Sequence, residues 1–269
     1  LPAVSVLALK LVLAPAFVVG ASLIARRFGP RAGGMVGGLP VVGGPILLVL
    51  AVVHGDSFAA RAATAALLGL ISLAAFVVAY GVVAPRAPWP VALLAAWSAF
   101  LGLTALFALL TAAVHIPPTI GLAAAFASFL AAGALLPHPG GARPCDGSAR
   151  TPSWDLPVRA ACAAAMVLGV TAASSGLGPR VSGLLAPAPI ITSILAAFTQ
   201  AQAGPETTLR LLRGMLTGFV SFALFCWTVA VLLPHAALGV AFGTAVVVAV
   251  LTQVAIAGGE SIGARPYSR

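Results

Sequence analysis

Acidic side chains are nearly absent, with five Asp and Glu in 269 residues. Asp56, Asp146, Asp155, Glu206 and Glu260 all read as loop or helix-end positions. No carboxylate therefore stands inside an apolar stretch, where a proton relay or a dedicated cation site would need one. Cysteine is scarce as well. Cys145, Cys162 and Cys226 have no CxxC spacing, which argues against both a disulfide framework and a metal site. No HExxH, GxSxG or Cys/His couple occurs, so the expectation is no enzyme, no catalytic residue, no metal and no cofactor. No basic run interleaves with aromatics, which removes nucleic acid as a partner.

Apolar residues fill the space these absences leave. The chain is 61% hydrophobic and 7% charged, with a mean hydropathy of +1.12. Several stretches reach the ~20 residues that a helix needs to cross a bilayer. They are continuously apolar rather than alternating, so a barrel is excluded. The pattern predicts an all-α polytopic membrane protein with crossings near 5–25, 34–53, 60–84, 90–112, 117–137, 158–177, 182–202, 208–233 and 236–257. Residues 1–25 read as a crossing rather than a signal peptide, because Arg26, Arg27 and Arg31 follow the apolar run instead of preceding it. The net charge of +9 reads as orientation. Of the fourteen basic residues, only Lys10, Arg61 and Arg180 fall on the face where the chain starts. The basic face is cytoplasmic by the positive-inside rule. The expected location is the bacterial inner membrane, with an external N-terminus and a cytoplasmic C-terminus.

The two halves repeat each other. Gly29-Pro30-Arg31 recurs 149 positions later as Gly178-Pro179-Arg180, and the register continues without a gap. Gly34/Gly183, Pro40/Pro189, Gly55/Gly204, Arg61/Arg210, Gly69/Gly218, Ser72/Ser221 and Phe76/Phe225 are identical pairs. Residues 1–112 are then a first four-helix repeat and 113–157 a spacer crossing with a cytoplasmic linker. Residues 158–257 are the second repeat, and 258–269 a cytoplasmic tail. One unpaired crossing between two even units turns the second upside down relative to the first, the inverted-repeat design of many transporters.

The second crossing of each repeat is the unusual one. Residues 33–45 read GGMVGGLPVVGGP and residues 182–194 read SGLLAPAPIITSI. Proline removes a backbone donor, and glycine lowers the cost of leaving the helix. Paired broken helices point to a transporter's binding site, although glycines in membrane helices also serve close packing. The candidate substrate-binding set is Gly37, Gly38, Pro40, Gly43, Gly44, Pro187, Pro189, Thr192, Ser193 and Gln200. Helix-start amides and the shortage of carboxylates favour an organic anion or a neutral metabolite over a metal ion. Arg31 and Arg180, with Arg61 and Arg210, are candidate gating or anion-attracting residues. Lipid anchoring is the plainer role for each of them.

The stretch from Gly38-Leu39-Pro40 through Ala51, then Gly55, Arg61 and Tyr80, resembles the small four-helix bacterial membrane proteins of the GlpM type. The likeness covers about fifty residues in each half. It implies the four-helix unit and no particular substrate or site residue. The reading is a transporter or permease working by alternating access. Its partners are the bilayer and a small solute, and a homodimer is the base-rate expectation. The alternatives are a flippase-like protein for an anionic lipid and a non-transporting accessory subunit. Single cysteines replacing Arg31 and Arg180 should react with a membrane-impermeant maleimide from opposite faces; labelling from the same face overturns the inverted arrangement.

Overall fold

A computed structural model describes residues 3–40, 43–113, 116–138, 154–174 and 183–263, and among them the chain is helical with no strand. In the first half run α1 (Ala3–Phe28), α2 (Pro30–Gly37), α3 (Gly43–His54), α4 (Asp56–Val83) and α5 (Trp89–Ala113). Helix α6 (Pro118–Leu135) stands between the halves, and α7 (Asp155–Ser174), α8 (Ile190–Leu232) and α9 (Leu238–Gly263) follow. Five of the described stretches are long and apolar enough to cross a membrane: Asp56–Val83, Trp89–Thr111, Pro118–Leu135, Gly183–Leu232 and Leu238–Gly258. This is a helical membrane protein.

Several boundaries differ from expectation. The crossing expected at 34–53 is two short helices, α2 ending at Gly37 and α3 starting at Gly43. At twelve residues, α3 spans about 18 Å, well short of the ~30 Å hydrocarbon core. The crossings expected at 182–202 and 208–233 are joined in α8, which bends at Gly204. The polar connections expected around 54–59 and 203–207 shrink to one residue each. Gly55 (φ 86°, ψ 166°) and Gly204 (φ 80°, ψ 176°) turn the chain by themselves. Glycine alone adopts that backbone cheaply, and nothing lies within 4 Å of where a Cβ would sit at either corner. At the far end, α9 continues to Gly263, past residue 258 where a tail was expected to begin.

The repeat is visible in the backbone. After the corners, α4 and α8 end at Val83 and Leu232, which are repeat equivalents. They leave the helix through matching turns: Ala84 N–H donates to the Tyr80 carbonyl (2.8 Å) and Leu233 N–H to the Val229 carbonyl (3.0 Å). Helices α5 and α9 then start at the equivalent positions Trp89 and Leu238.

Helix α6 gives the relative direction of these units. Gly121, near its start, packs on Leu67, and Leu136, just past its end, packs on Gly81, so α6 runs parallel to α4. The Phe129 and Phe219 rings lie 6.0 Å apart, while the Leu136 carbonyl accepts from Arg213 at 2.8 Å. Helix α6 is thus antiparallel to the second half of α8. Two helices equivalent in sequence therefore run in opposite directions. They form the buried centre, and α5, α6 and α9 form the rim with Leu94, Leu109, Leu130, Leu251 and Val254 exposed.

The contacts between halves are exchanged residue for residue. A Cβ on Gly34 would strike the Leu211 carbonyl, and one on Gly183 would strike the Ala62 carbonyl, each contact being the other's repeat equivalent. The pair Gly218 on the Met35 carbonyl and Gly69 on the Leu184 carbonyl behaves in the same way. Residue i meeting j while j's counterpart meets i's counterpart is the mark of a two-fold relation. Small residues let the backbones touch, which is the main source of helix association in lipid. Gly218→Ala and Gly69→Ala should each cost about 1–3 kcal/mol of overpacking, lowering the melting temperature in detergent. Gly102→Ala and Gly133→Ala, which meet nothing within 4 Å, should melt at or above the parent.

Candidate functional site

The broken segments of the two halves meet at the centre. Gly37 and Gly38 at the end of α2, Gly43 at the start of α3, Pro187, and Ile191 and Thr192 at the start of α8 line one cavity, with Leu73, Phe219 and Phe222 closing its sides. The first amides of a helix have no intrahelical acceptor and carry its positive half-charge. One such end, that of α8 at Ile191 and Thr192, opens onto this space; at the start of α3 the Gly44 N–H already donates to the Pro40 carbonyl at 2.8 Å. The cavity's volume is about 30 Å³, room for one or two waters at roughly 10–15 Å³ each and too little for a whole organic molecule.

Of the sequence candidates, Gly37, Gly38, Gly43, Pro187 and Thr192 line the cavity. Pro189 is buried beside it as the N-cap of α8. Ser193 points elsewhere, because one step along a helix turns about 100°. Its hydroxyl accepts from the Trp97 indole at 3.0 Å and faces a lateral groove. Gln200 lies about 12 Å further along α8, where its amide donates to the Ala84 and Ala87 carbonyls (3.0 and 2.9 Å) and caps α4. Pro40 and Gly44 face a second lateral groove, against Phe225 and Phe242. Arg31 is exposed on the first turn of α2 and Arg61 is exposed on α4. Arg210, half-buried, stands 4.0 Å from Glu206. Arg180, with the Gly178-Pro179 turn, lies outside the described residues.

The lateral grooves are repeat-related in part, through Ser193/Gly44, Ile194/Pro45, Ala197/Leu48 and Leu93/Phe242. One, of about 400 Å³, is walled by α8 (Ser193 to Ala201), by Trp89 and Leu93 of α5 and by Cys162 and Met166 of α7. The other, of about 540 Å³, is walled by Leu39 to Leu48 and by Phe242 to Val250 of α9. Polar groups flank the crossing in the same paired fashion, but with different partners. Ser221 donates to Gln253 (2.8 Å), and Gln253 donates to the Met35 carbonyl (3.4 Å). At the equivalent places, the Ser72 and Thr104 hydroxyls are buried with no hydrogen-bond partner among the described residues.

The strongest polar cluster escaped the sequence reading. Asp155, fully buried at the start of α7, accepts from Arg159 (2.9 and 3.0 Å), from Arg26 of α1 and from Gln202 of α8. Arg159 also donates to Gln202 (3.1 Å) and Ser22 (3.4 Å), and its guanidinium carbon lies 4.8 Å from the Phe198 ring centroid. Burial alone would raise the Asp155 carboxyl. The hydrogen bonds from Gln202 and Arg159, with the charges of Arg159 and Arg26, outweigh it and hold the group below its ordinary value. The signal in the sequence was Asp155 four residues before Arg159, an acid–base pair on one helix face. Its other members come from helices 129 and 47 residues away.

No family model, curated protein or solved structure matches the chain.

Removing the acid should leave a buried guanidinium without its partner. Asp155→Asn should cost about 3–5 kcal/mol, measured by denaturant titration in detergent. Adding Arg159→Met should return part of that loss, because an apolar side chain of similar length needs no counter-charge.

Proposed function

We propose that this protein is a transporter or permease of the bacterial inner membrane, with its N-terminus outside and its C-terminus in the cytoplasm. Its two four-helix repeats, each resembling the GlpM-type unit, are inverted about an axis in the membrane plane. A small organic anion or neutral metabolite passes between them by alternating access. The observation that carries this reading is the exchanged crossing. Two antiparallel equivalent helices each hold the other half's broken segment by backbone contact, and the start of α8 opens, opposite Gly43, onto the space between them. Discontinuous helices with N-termini aimed at a central site are the recurrent way to hold an anionic group in a transporter.

The small central volume fits a closed state. A solute larger than water needs the crossing to part, and the one-residue corners at Gly55 and Gly204 are where short half-helices swing with least cost. Arg31 and Arg180, on opposite faces, and Arg61 and Arg210 stand where approaching anions would be drawn in.

A melting-temperature screen of the detergent-solubilised protein against organic anions and neutral metabolites tests the site. A ligand of the folded state raises the melting temperature with concentration. At least one soluble compound should do so, and Thr192→Ala should abolish its effect while leaving the unliganded melt close to the parent. A shift that survives Thr192→Ala would move the site away from the crossing.

A further inference from the structure

The two lateral grooves share part of their walls by repeat, but only one has a wall from α7, and they differ at their mouths. The groove between α5, α7 and α8 begins at Ala201, Trp89 and Phe198 and descends along α8 to Ser193, about 12 Å. Trp97, bonded to Ser193, closes the deep end. Phe198 belongs to both this groove and the ion cluster, because Arg159 stacks on its ring. The Phe198 ring therefore joins one end of an apolar slot to a cluster that holds two guanidinium groups. Against them stands one carboxylate, Asp155, which leaves the cluster with one net positive charge.

We propose that this groove binds one anionic phospholipid, with its phosphate on Arg26, the exposed guanidinium of the cluster, and one acyl chain along Trp89, Leu93, Met166 and Phe198. Three observations carry the assignment. The groove has the volume of a small-molecule site, about 400 Å³, within the usual range of roughly 300–1,000 Å³, and Ser193 is its one strongly polar lining residue. The Arg26 side chain remains one-third exposed while paired, so part of its donor fork stays free for a phosphate oxygen, the acceptor that guanidinium geometry matches best. Trp89 and Trp154 are exposed at this end, the level at which aromatic rings mark the headgroup region.

The other groove supplies an internal control. At the positions equivalent to Asp155, Arg159, Arg26 and Gln202 stand Val6, Lys10, Ser175 and Val53, which cannot build such a cluster. The lipid site is thus one-sided. It lies on the face that holds most of the basic residues, and the cytoplasmic leaflet is where anionic lipids concentrate. The site stands whether or not the central crossing carries a solute.

Native mass spectrometry of the detergent-solubilised full chain, titrated with dioleoylphosphatidylglycerol, dioleoylphosphatidylcholine or inorganic phosphate, tests it. One phosphatidylglycerol should be retained per chain, with phosphatidylcholine held at least about fivefold more weakly, the weight of one basic side chain at an anionic surface. Arg26→Gln should weaken phosphatidylglycerol by a similar factor. Ala197→Phe, which fills the groove and leaves the ion cluster intact, should abolish retention. Equal binding of the two lipids overturns the headgroup assignment, and retention unchanged by Ala197→Phe overturns the acyl assignment. Displacement of phosphatidylglycerol by inorganic phosphate at matched concentration overturns both, because it would make the cluster a site for the free ion.

Discussion

The rest of this structure depends on places where glycine lets one backbone rest on another. Gly34 lies on the Leu211 carbonyl, Gly183 on Ala62, Gly218 on Met35 and Gly69 on Leu184. In lipid there is no hydrophobic gain in burying one apolar helix against another, so shape and close approach must supply the attraction. The contacts that supply it here all run between the two halves. Each half's short broken segment is seated on the long central helix of the other, and neither segment has the length to stand alone across a bilayer. The same contacts set the width of the central cavity. A methyl group at any of the four would push the halves apart.

Against that shared framework, the side-chain hydrogen bonds of the two halves differ. The ion cluster, the Trp97–Ser193 bond and the Gln200 cap all fall on α8 before its corner. The equivalent residues on α3 side are Gly44, Ala51 and Val53, which offer no side-chain hydrogen bond. The reverse holds at the flanking pair. Gln253 reaches Ser221 and the Met35 carbonyl, whereas Thr104 is too short to make the same bridge and leaves Ser72 without one. The two halves share glycine contacts and differ in the side-chain hydrogen bonds laid on them.

The frame was legible in the sequence because it rests on glycine and proline, whose backbone demands are strict enough to recur in register. Gly34/Gly183 and Gly69/Gly218 stood out for that reason, and so did the Gly55/Gly204 pair, although a one-residue corner reads like a longer loop when only polarity marks it. Composition marks Thr192 and Ser193 alike, but a single helical step separates their faces and only Thr192 lines the cavity. Gln200 reads as a polar group of the same crossing, and in the structure its amide caps α4. The ion cluster was invisible for a different reason. Its members sit on three helices, and each taken singly reads as an interfacial charge at a helix end. Only packing makes them one object.

The two half-helices at the crossing are consequently not equivalent as levers. Both end at a glycine corner that turns without side-chain hindrance, and hinges are places where a few residues absorb the change in φ and ψ. The α8 lever is held along its length by Trp97 at Ser193, by the α4 carbonyls at Gln200 and by the Asp155–Arg159 cluster at Gln202. The α3 lever has only packing, against Phe222 and Phe225 at Gly43 and Gly44. Swinging α3 about Gly55 breaks no side-chain hydrogen bond at those three positions; swinging α8 about Gly204 breaks one at each. For the alternating access proposed above, this difference makes the α3 side of the crossing the easier one to open.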